Sequence, residues 1–273
     1  MGPRATVHLQ LKVSMSVPIR LEYRDVTMRF AQGASRLTAV ERVSLALADG
    51  EVVSLIGPSG CGKSTLLNIG SGLTAPSEGA AFVDGERVEG PNAHVAFMLQ
   101  KDLLLPWRTV AQNVMFGVEI QRVAPDERRR RAQALLENLN LAEFSGHYPH
   151  QLSGGMRQRV ALARTLAVDP TVLLMDEPFS AVDAQTRMVL QRELAQTLKR
   201  AGKTALLITH DLQEAVTLSD RVLVMSRRPG KIIDEIVIDI PDRDDPLKRR
   251  THPKVHEYVN RLMDRLEIAP VPA

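Results

Sequence analysis

The amino-acid sequence predicts an α/β fold: a mostly parallel core sheet, an antiparallel β region near its start and an α-helical subdomain inserted in the middle. Three observations carry this. Short apolar runs, "EVVSLIG" (51–57), "TVLLMD" (171–176), "TALLIT" (204–209) and "DRVLVMS" (220–226), alternate with helical patterns, as strands buried on both faces of a parallel sheet do. Residues 19–49, with "LEYRDVTMRF" and "VERVSLALADGE", read as antiparallel strands. From about 101 to 168 no convincing strand occurs.

Taken in order, the opening "MGPRATVHLQLKVSMSVPIR" is too polar for a signal peptide, and Met15 is an alternative start that leaves 1–14 as an extension. After the first buried strand comes "KSTLLNIGSGL", a helical pattern. Within the inserted region, "PDERRRRAQALLENLN" places Ala132, Leu135, Leu136 and Leu139 on one helical face. The run Arg128–Arg131 opposite that stripe reads as a solvated face rather than a nucleic-acid patch. "QLSGGMRQRVALARTLAVDP" is a second helix, N-capped by Ser153 and apolar at Met156, Val160, Ala163 and Ala167. "KIIDEIVIDI" (231–240) is a late edge strand, and "IPDRDDP" (240–246) a polar linker. The terminal helix carries Val255, Tyr258, Val259, Leu262 and Leu266 as a stripe expected to pack on its own domain.

Composition narrows the function classes. With 273 residues, 44% of them hydrophobic, the chain can bury a sizeable core. Thirty-five Lys and Arg against 32 Asp and Glu give a net charge of +3, too balanced to imply nucleic-acid binding. A single cysteine, Cys61, excludes a disulfide framework and fits a reducing compartment. No apolar run approaches the roughly 18 to 20 residues of a membrane span, so the chain is expected in the cytoplasm, with any membrane role supplied by a partner.

"GPSGCGKST" follows a strand and opens a helix, and matches G-x-x-x-x-G-K-[ST]. In this phosphate loop the backbone N–H groups of Gly57, Pro58–Cys61 (Ser59 and Gly60 between them), Gly62, Lys63, Ser64 and Thr65, as far as each has one, close around phosphate oxygens, and the helix N-terminus adds its dipole. Lys63 should reach the β- and γ-phosphates and the Ser64 hydroxyl should ligate Mg²⁺. An ordinary Gly-rich turn is the competing reading. Such a site also needs a metal carboxylate and a water-activating group. "TVLLMDEP" offers both at a strand end: Asp176 for Mg²⁺, directly or through water, and Glu177 to orient and deprotonate the attacking water. Helix capping by two acids is the alternative. His210, just past "TALLIT", is placed to donate a hydrogen bond to the γ-phosphate.

The ordered set "GPSGCGKST", "LSGGMRQ", "LLMDEP", "SAVDA" and "ITHD" resembles ATP-binding cassette ATPases, the nucleotide-binding subunits of ABC transporters, over roughly residues 19–240. The resemblance implies a P-loop NTPase fold divided as a 1–18 extension, a 19–240 ATPase domain and a 241–273 linker with a terminal helix. It implies ATP and Mg²⁺ as cofactors and a homodimer in which Ser153, Gly154 and Gly155 of one copy face the γ-phosphate held by the other. It further assigns Gln100 to Mg²⁺ and the attacking water, Asp183 to the dimer interface and Phe30 to adenine stacking; core packing competes for Phe30 and a turn role for Asp183.

A transport role implies integral membrane permease subunits at the cytoplasmic face of the inner membrane, with "LLLPW" (103–107) as a candidate contact or a buried segment. It also implies a separate solute-binding protein and no nucleic acid. Import is favoured, and "LLPW" with "MSRRPGKI" (225–232) looks similar to the nitrate, sulfonate or taurine branch. The rival class, a soluble ABC ATPase acting on DNA or ribosomes, calls for two cassettes or a long coiled coil; here 90 positions separate Lys63 from Ser153. A scaffold without turnover would lack the lysine or the base, and both are present.

Overall fold

A computed structural model describes residues 17–32, 35–180 and 182–267. The proposed start at Met15 and most of the expected extension lie outside them.

The strands form two sheets, which share one apolar cluster with the helix spanning Lys63–Gly70. The first is antiparallel: β1 (Ile19–Gln32), β2 (Ser35–Ala48), β4 (Glu78–Val83) and β5 (Glu86–Arg87), in the order β2-β1-β4-β5. The second holds β3 (Val52–Ile56), β6 (Val95–Met98), β7 (Val172–Asp176), β8 (Thr204–Ile208), β9 (Arg221–Met225) and β10 (Ile232–Val237), ordered β10-β9-β3-β8-β7-β6. Every neighbour pair is parallel except β10 with β9, which closes that edge antiparallel. The four predicted buried strands and the late edge strand are all present.

β4 and β6 were not anticipated. "EGAAFV" has little intrinsic strand preference; it is extended because Leu21, Tyr23 and their neighbours in β1 pair with Val83 and Ala81 across the ladder. β6 is only four residues long, and its partner β7 lies 77 positions further along the chain.

Helix α1 (Lys63–Gly70) follows β3 directly. Between β6 and β7 stand α2 (Val110–Ile120), α3 (Pro125–Asn138) and α4 (Gly154–Ala167). Val114 and Val118 of α2, Ala132 and Leu136 of α3, and Val160 and Ala163 of α4 share one apolar cluster with Leu173 and Met175 of the sheet, so α4 belongs to both the helical layer and the core. α5 (Ala184–Ala201) and α6 (Leu212–Leu218) flank β8.

The segment expected as a polar linker is fastened down. Asp245 caps α7 (Pro246–Arg250), and Arg249, only 2% exposed, donates hydrogen bonds to the carbonyls of Ile240, Pro241, Val216, Thr217 and Ser219. α8 (Lys254–Arg265) then packs Val255 and Leu262 into a cluster with Val216 of α6 and Ile236 of β10, the own-domain packing the stripe predicts. Among the described residues no helix is long and apolar enough to cross a membrane.

Candidate functional site: a phosphate pocket at the strand ends

The carboxyl ends of β3, β7 and β8 converge on one open pocket of about 360 Å³, lined by Lys63, Ser64, Thr65, Asp176, Glu177 and Phe30 among others. Its floor is the turn from β3 into α1. Gly62 caps that helix at φ 108, where a Cβ would come within 2.4 Å of Val40 Cγ1, so only glycine fits. Lys63 Nζ donates to the carbonyls of Gly57 and Pro58, at 2.7 and 3.1 Å, and so lies along the loop it would share with phosphate oxygens. Cys61, within the loop, is buried in the core cluster as a small packed side chain.

Asp176 is half-buried at the end of β7. Burial pushes its carboxyl above the ordinary value, opposed by a hydrogen bond from the Ser64 hydroxyl and by the Lys63 cation, while the Glu177 charge adds to the rise. A hydroxyl and a carboxylate held together are hard oxygen donors, and they fit Mg²⁺. Among the described residues no group of three or more His, Cys, Asp and Glu side chains could hold a metal ion. A cation here would therefore take its remaining ligands from phosphate and water, as Mg²⁺ in nucleotide sites does.

Glu177 adopts φ 46, a left-handed backbone that turns its side chain toward His210. Glu177 Oε2 and His210 Nδ1 are 3.1 Å apart. The two residues predicted for the hydrolytic step therefore meet, although 33 positions separate them in the chain. Phe30 on β1 is 41% exposed and lines the same pocket, opposite Leu37 in the β1–β2 ladder.

Other predicted residues are not brought into this pocket. Gln100 lies in a neighbouring groove with Lys101, Asp102, Gly154 and Arg157, and donates to Ser180 Oγ at 3.3 Å. The cause is the anchoring of its loop on α4: Arg164 donates to the carbonyls of Leu103 and Asp102, and Arg157 pairs with the Asp102 carboxylate. Asp183 caps α5, accepting from the N–H groups of Gln185 and Thr186, and those bonds hold its carboxyl below the ordinary range. Ser153 caps α4 through Met156 N at 3.3 Å, and Gly154, which opens that helix with Gly155, lines the Gln100 groove while none of the three lines the phosphate-loop pocket. A Cβ at Gly155 would lie 2.3 Å from Thr186 Cγ2, so its smallness is already required inside the molecule.

Sequence reasoning missed Arg228. "MSRRPGKI" drew attention only as a mark of lineage, yet Arg228 lines the pocket and donates two hydrogen bonds to the Gly60 carbonyl, at 3.0 and 2.8 Å. The loop from β9 to β10 also joins β2 through Gly230 N to Ala39 O, at 2.9 Å. No local pattern announces such a contact, because 168 positions separate Arg228 from Gly60.

Comparison with known proteins follows the same lines. The family described as "ABC transporter" matches residues 40–180. An uncharacterized ABC transporter ATP-binding protein of Methanocaldococcus jannaschii is 42% identical over 258 residues, 94% of this chain and 95% of its own length. A taurine import ATP-binding protein of Burkholderia pseudomallei is 42% identical, over 89% of this chain and 95% of that one. A nitrate import ATP-binding protein of Synechocystis is 43% identical, over 86% and 88%. Among solved structures, a dimeric ATP-binding cassette in a post-hydrolysis state, bound to ADP and Pi, superposes with a TM-score of 0.71 at 32% identity, covering 81% of this chain and 99% of that one.

Proposed function

The chain belongs to the ABC transporter family, whose cassettes are ATPases, and we propose that it is the ATP-hydrolysing subunit of a solute importer, driving membrane permease subunits by closing head to tail with a second copy of itself. The observation that carries the reading is the separation within one chain of two anion-seeking elements. The phosphate loop and its acids line one pocket, while the Ser153–Gly155 helix start opens on a different groove. Each cassette therefore holds half of two sites, and a partner's helix start completes the cover over the terminal phosphate.

In the closed pair the phosphate-loop amides and Lys63 hold the β- and γ-phosphates, and Phe30 stacks on the adenine. Ser64 and Asp176 would hold Mg²⁺, which would supply charge neutralisation for the phosphates. Glu177 takes the proton of the water that attacks the γ-phosphorus, and the bond from that phosphorus to the bridging oxygen breaks, giving ADP and phosphate. His210, 3.1 Å from Glu177, donates to the γ-phosphate and keeps the base aligned. Loss of that phosphate removes the bridge between copies and lets them part.

Transmission to the membrane runs through the Gln100 loop. Trp107 is 72% exposed and Leu103 is also exposed, whereas Leu104 is buried, so "LLLPW" divides into an outward apolar face and an anchor. Buried Asn113 fixes this segment from beneath, bonding to Leu105 through both backbone groups and to the carbonyls of Arg108 and Thr109. A permease segment seated there would press on the loop that Arg157 and Arg164 tie to α4, the helix that reaches the partner's nucleotide. The taurine and nitrate import names of two relatives support a small anionic solute as cargo; in this reading a separate solute-binding protein delivers it and the chain works at the cytoplasmic face of the membrane. The DNA- or ribosome-acting alternative loses ground because α2 and α3 run only 11 and 14 residues, with no long coiled coil among the described residues.

The test is dimerisation. Light scattering with MgATP should detect a dimer of the Glu177→Gln chain and a monomer once Ser153→Arg is added. A dimer that survives Ser153→Arg would sink the cross-subunit reading.

A further inference from the structure

The loop carrying His210 has a second anchor that no step above uses. Glu214, in the first turn of α6, is 3% exposed. Its carboxylate accepts a hydrogen bond from Gln191 Nε2 at 2.9 Å, from the buried face of α5, and the nearby Thr209 hydroxyl favours its charged form. Thr209 Oγ1 in turn accepts the backbone N–H of Asp211 at 3.0 Å, and Asp211 Oδ1 accepts the N–H of Glu214 at 3.0 Å. The residues on either side of His210 are thereby tied to each other and to Glu214, Asp211 through the Glu214 backbone N–H and Thr209 beside its carboxyl group. Beside it lies a void of about 10 Å³, room for roughly one water, lined by Glu214, Thr209 and Arg187 and also by Glu177 and His210.

Burying a carboxylate is costly, and an apolar side chain would fill this position without that cost. The geometry points to what the charge maintains. We propose that Glu214 is a positioning residue for hydrolysis: through Thr209 it holds the loop on which His210 stands, and so sets the contact between His210 and Glu177. The proposal rests on the assignment of Glu177 and His210 to the hydrolytic step. An ionised carboxylate only accepts, so it takes the Gln191 amide and favours a Thr209 hydroxyl turned toward it, which leaves a Thr209 lone pair for Asp211 N–H. A protonated Glu214 turns one oxygen into a donor and breaks that sequence.

Both forms occur near neutrality. Burial pushes the Glu214 carboxyl up to about 7, with the Asp211 charge adding to the rise and the Arg187 cation, together with the two hydrogen bonds, opposing it. The charged and titratable groups around the void are Arg187 from α5, His210 and Asp211 from the loop before α6, and Glu177 from the end of β7.

The test measures kcat and KM for MgATP hydrolysis by the purified chain from about pH 6 to pH 9. Wild-type kcat should rise about fivefold through pH ~7, the worth of one hydrogen bond. Glu214→Gln, which keeps size but never ionises, should lose that acid limb and sit about fivefold low at high pH, with KM within about twofold. Thr209→Val should flatten the limb in the same way, which keeps the test alive if Glu214→Gln folds poorly. A second readout needs no turnover: the nucleotide-free wild type should lose thermal stability between about pH 5 and pH 8, and Glu214→Gln should lose much less.

A variant that loses activity but keeps the limb marks a merely structural role and overturns the proposal, as does a wild-type profile flat across neutrality. Glu177→Gln run in parallel separates the two readings. Wild-type turnover by it would remove the hydrolytic assignment itself, whatever Glu214 does.

Discussion

Glu177 illustrates how a single residue can be identified by its chemistry and still depend on geometry for its role. Its left-handed backbone and its 3.1 Å contact with His210 set one oxygen of the carboxylate toward the imidazole. Glu177→Gln keeps the shape and removes the proposed base, so kcat should fall by at least about a hundredfold while ATP affinity changes less than about threefold; a phosphate-release assay beside an ATP-binding titration decides it. Glu214 gives a stability prediction with a definite sign. Its folded-state value of about 7 stands above the ordinary 4.5, so the folded chain keeps this proton longer than the unfolded chain does. Stability is therefore fully present below about pH 4.5 and falls as pH rises toward 7, by about 3 kcal/mol at pH 8. Denaturant titrations at about pH 5 and pH 8 should show that loss in wild type and a much smaller one in Glu214→Gln.

At the scale of elements, α4 carries the most argument. Its sequence announces both the Ser153 cap and the apolar stripe, and the structure adds that Gly155 must be small for Thr186 on α5. Gly155→Ala should cost about 1 to 3 kcal/mol by overpacking. Thr186→Ser, which deletes the offending methyl, should restore most of it. Chemical denaturation of the single and double variants reads this directly, and an undisturbed Gly155→Ala chain would leave the glycine to the partner surface alone. The loop before α2 behaves similarly. Asn113→Ala removes four hydrogen bonds to the 105–109 backbone and should cost about 2 kcal/mol or more, releasing Trp107 from its outward setting, visible as a shift in the emission of the chain's one tryptophan.

For the whole molecule the proposed cross-subunit site turns on how the helical layer is joined to the sheet. The helical layer shares its core with the sheet through α4, so a push on the exposed Trp107 face is carried by packed side chains rather than by a flexible tether. Trp107→Glu should leave ATP hydrolysis by the isolated chain within about twofold while abolishing its co-purification with membrane partners. Retained co-purification would move the docking face elsewhere. The tail is likewise part of the molecule: with Arg249 bonded to five carbonyls, residues 241–265 move with α6 and β9.

The sequence by itself determined whatever is local in the chain. "GPSGCGKST" encodes its loop through glycine conformations and a helix start, the buried strands declare themselves by continuous apolar runs, and the order of motifs identifies the family. It also located Asp176, Glu177 and His210, because strand ends in a parallel sheet gather on one edge. Only the tertiary structure decided which distant groups meet: Arg228 on Gly60, Gln100 on Ser180, Glu214 beneath Thr209, β4 drawn straight by β1. Such contacts, apart from the short step from Thr209 to Glu214, join positions tens to more than a hundred residues apart, and they are settled by packing and hydrogen-bond satisfaction in three dimensions, which leave no period or spacing in the chain to read.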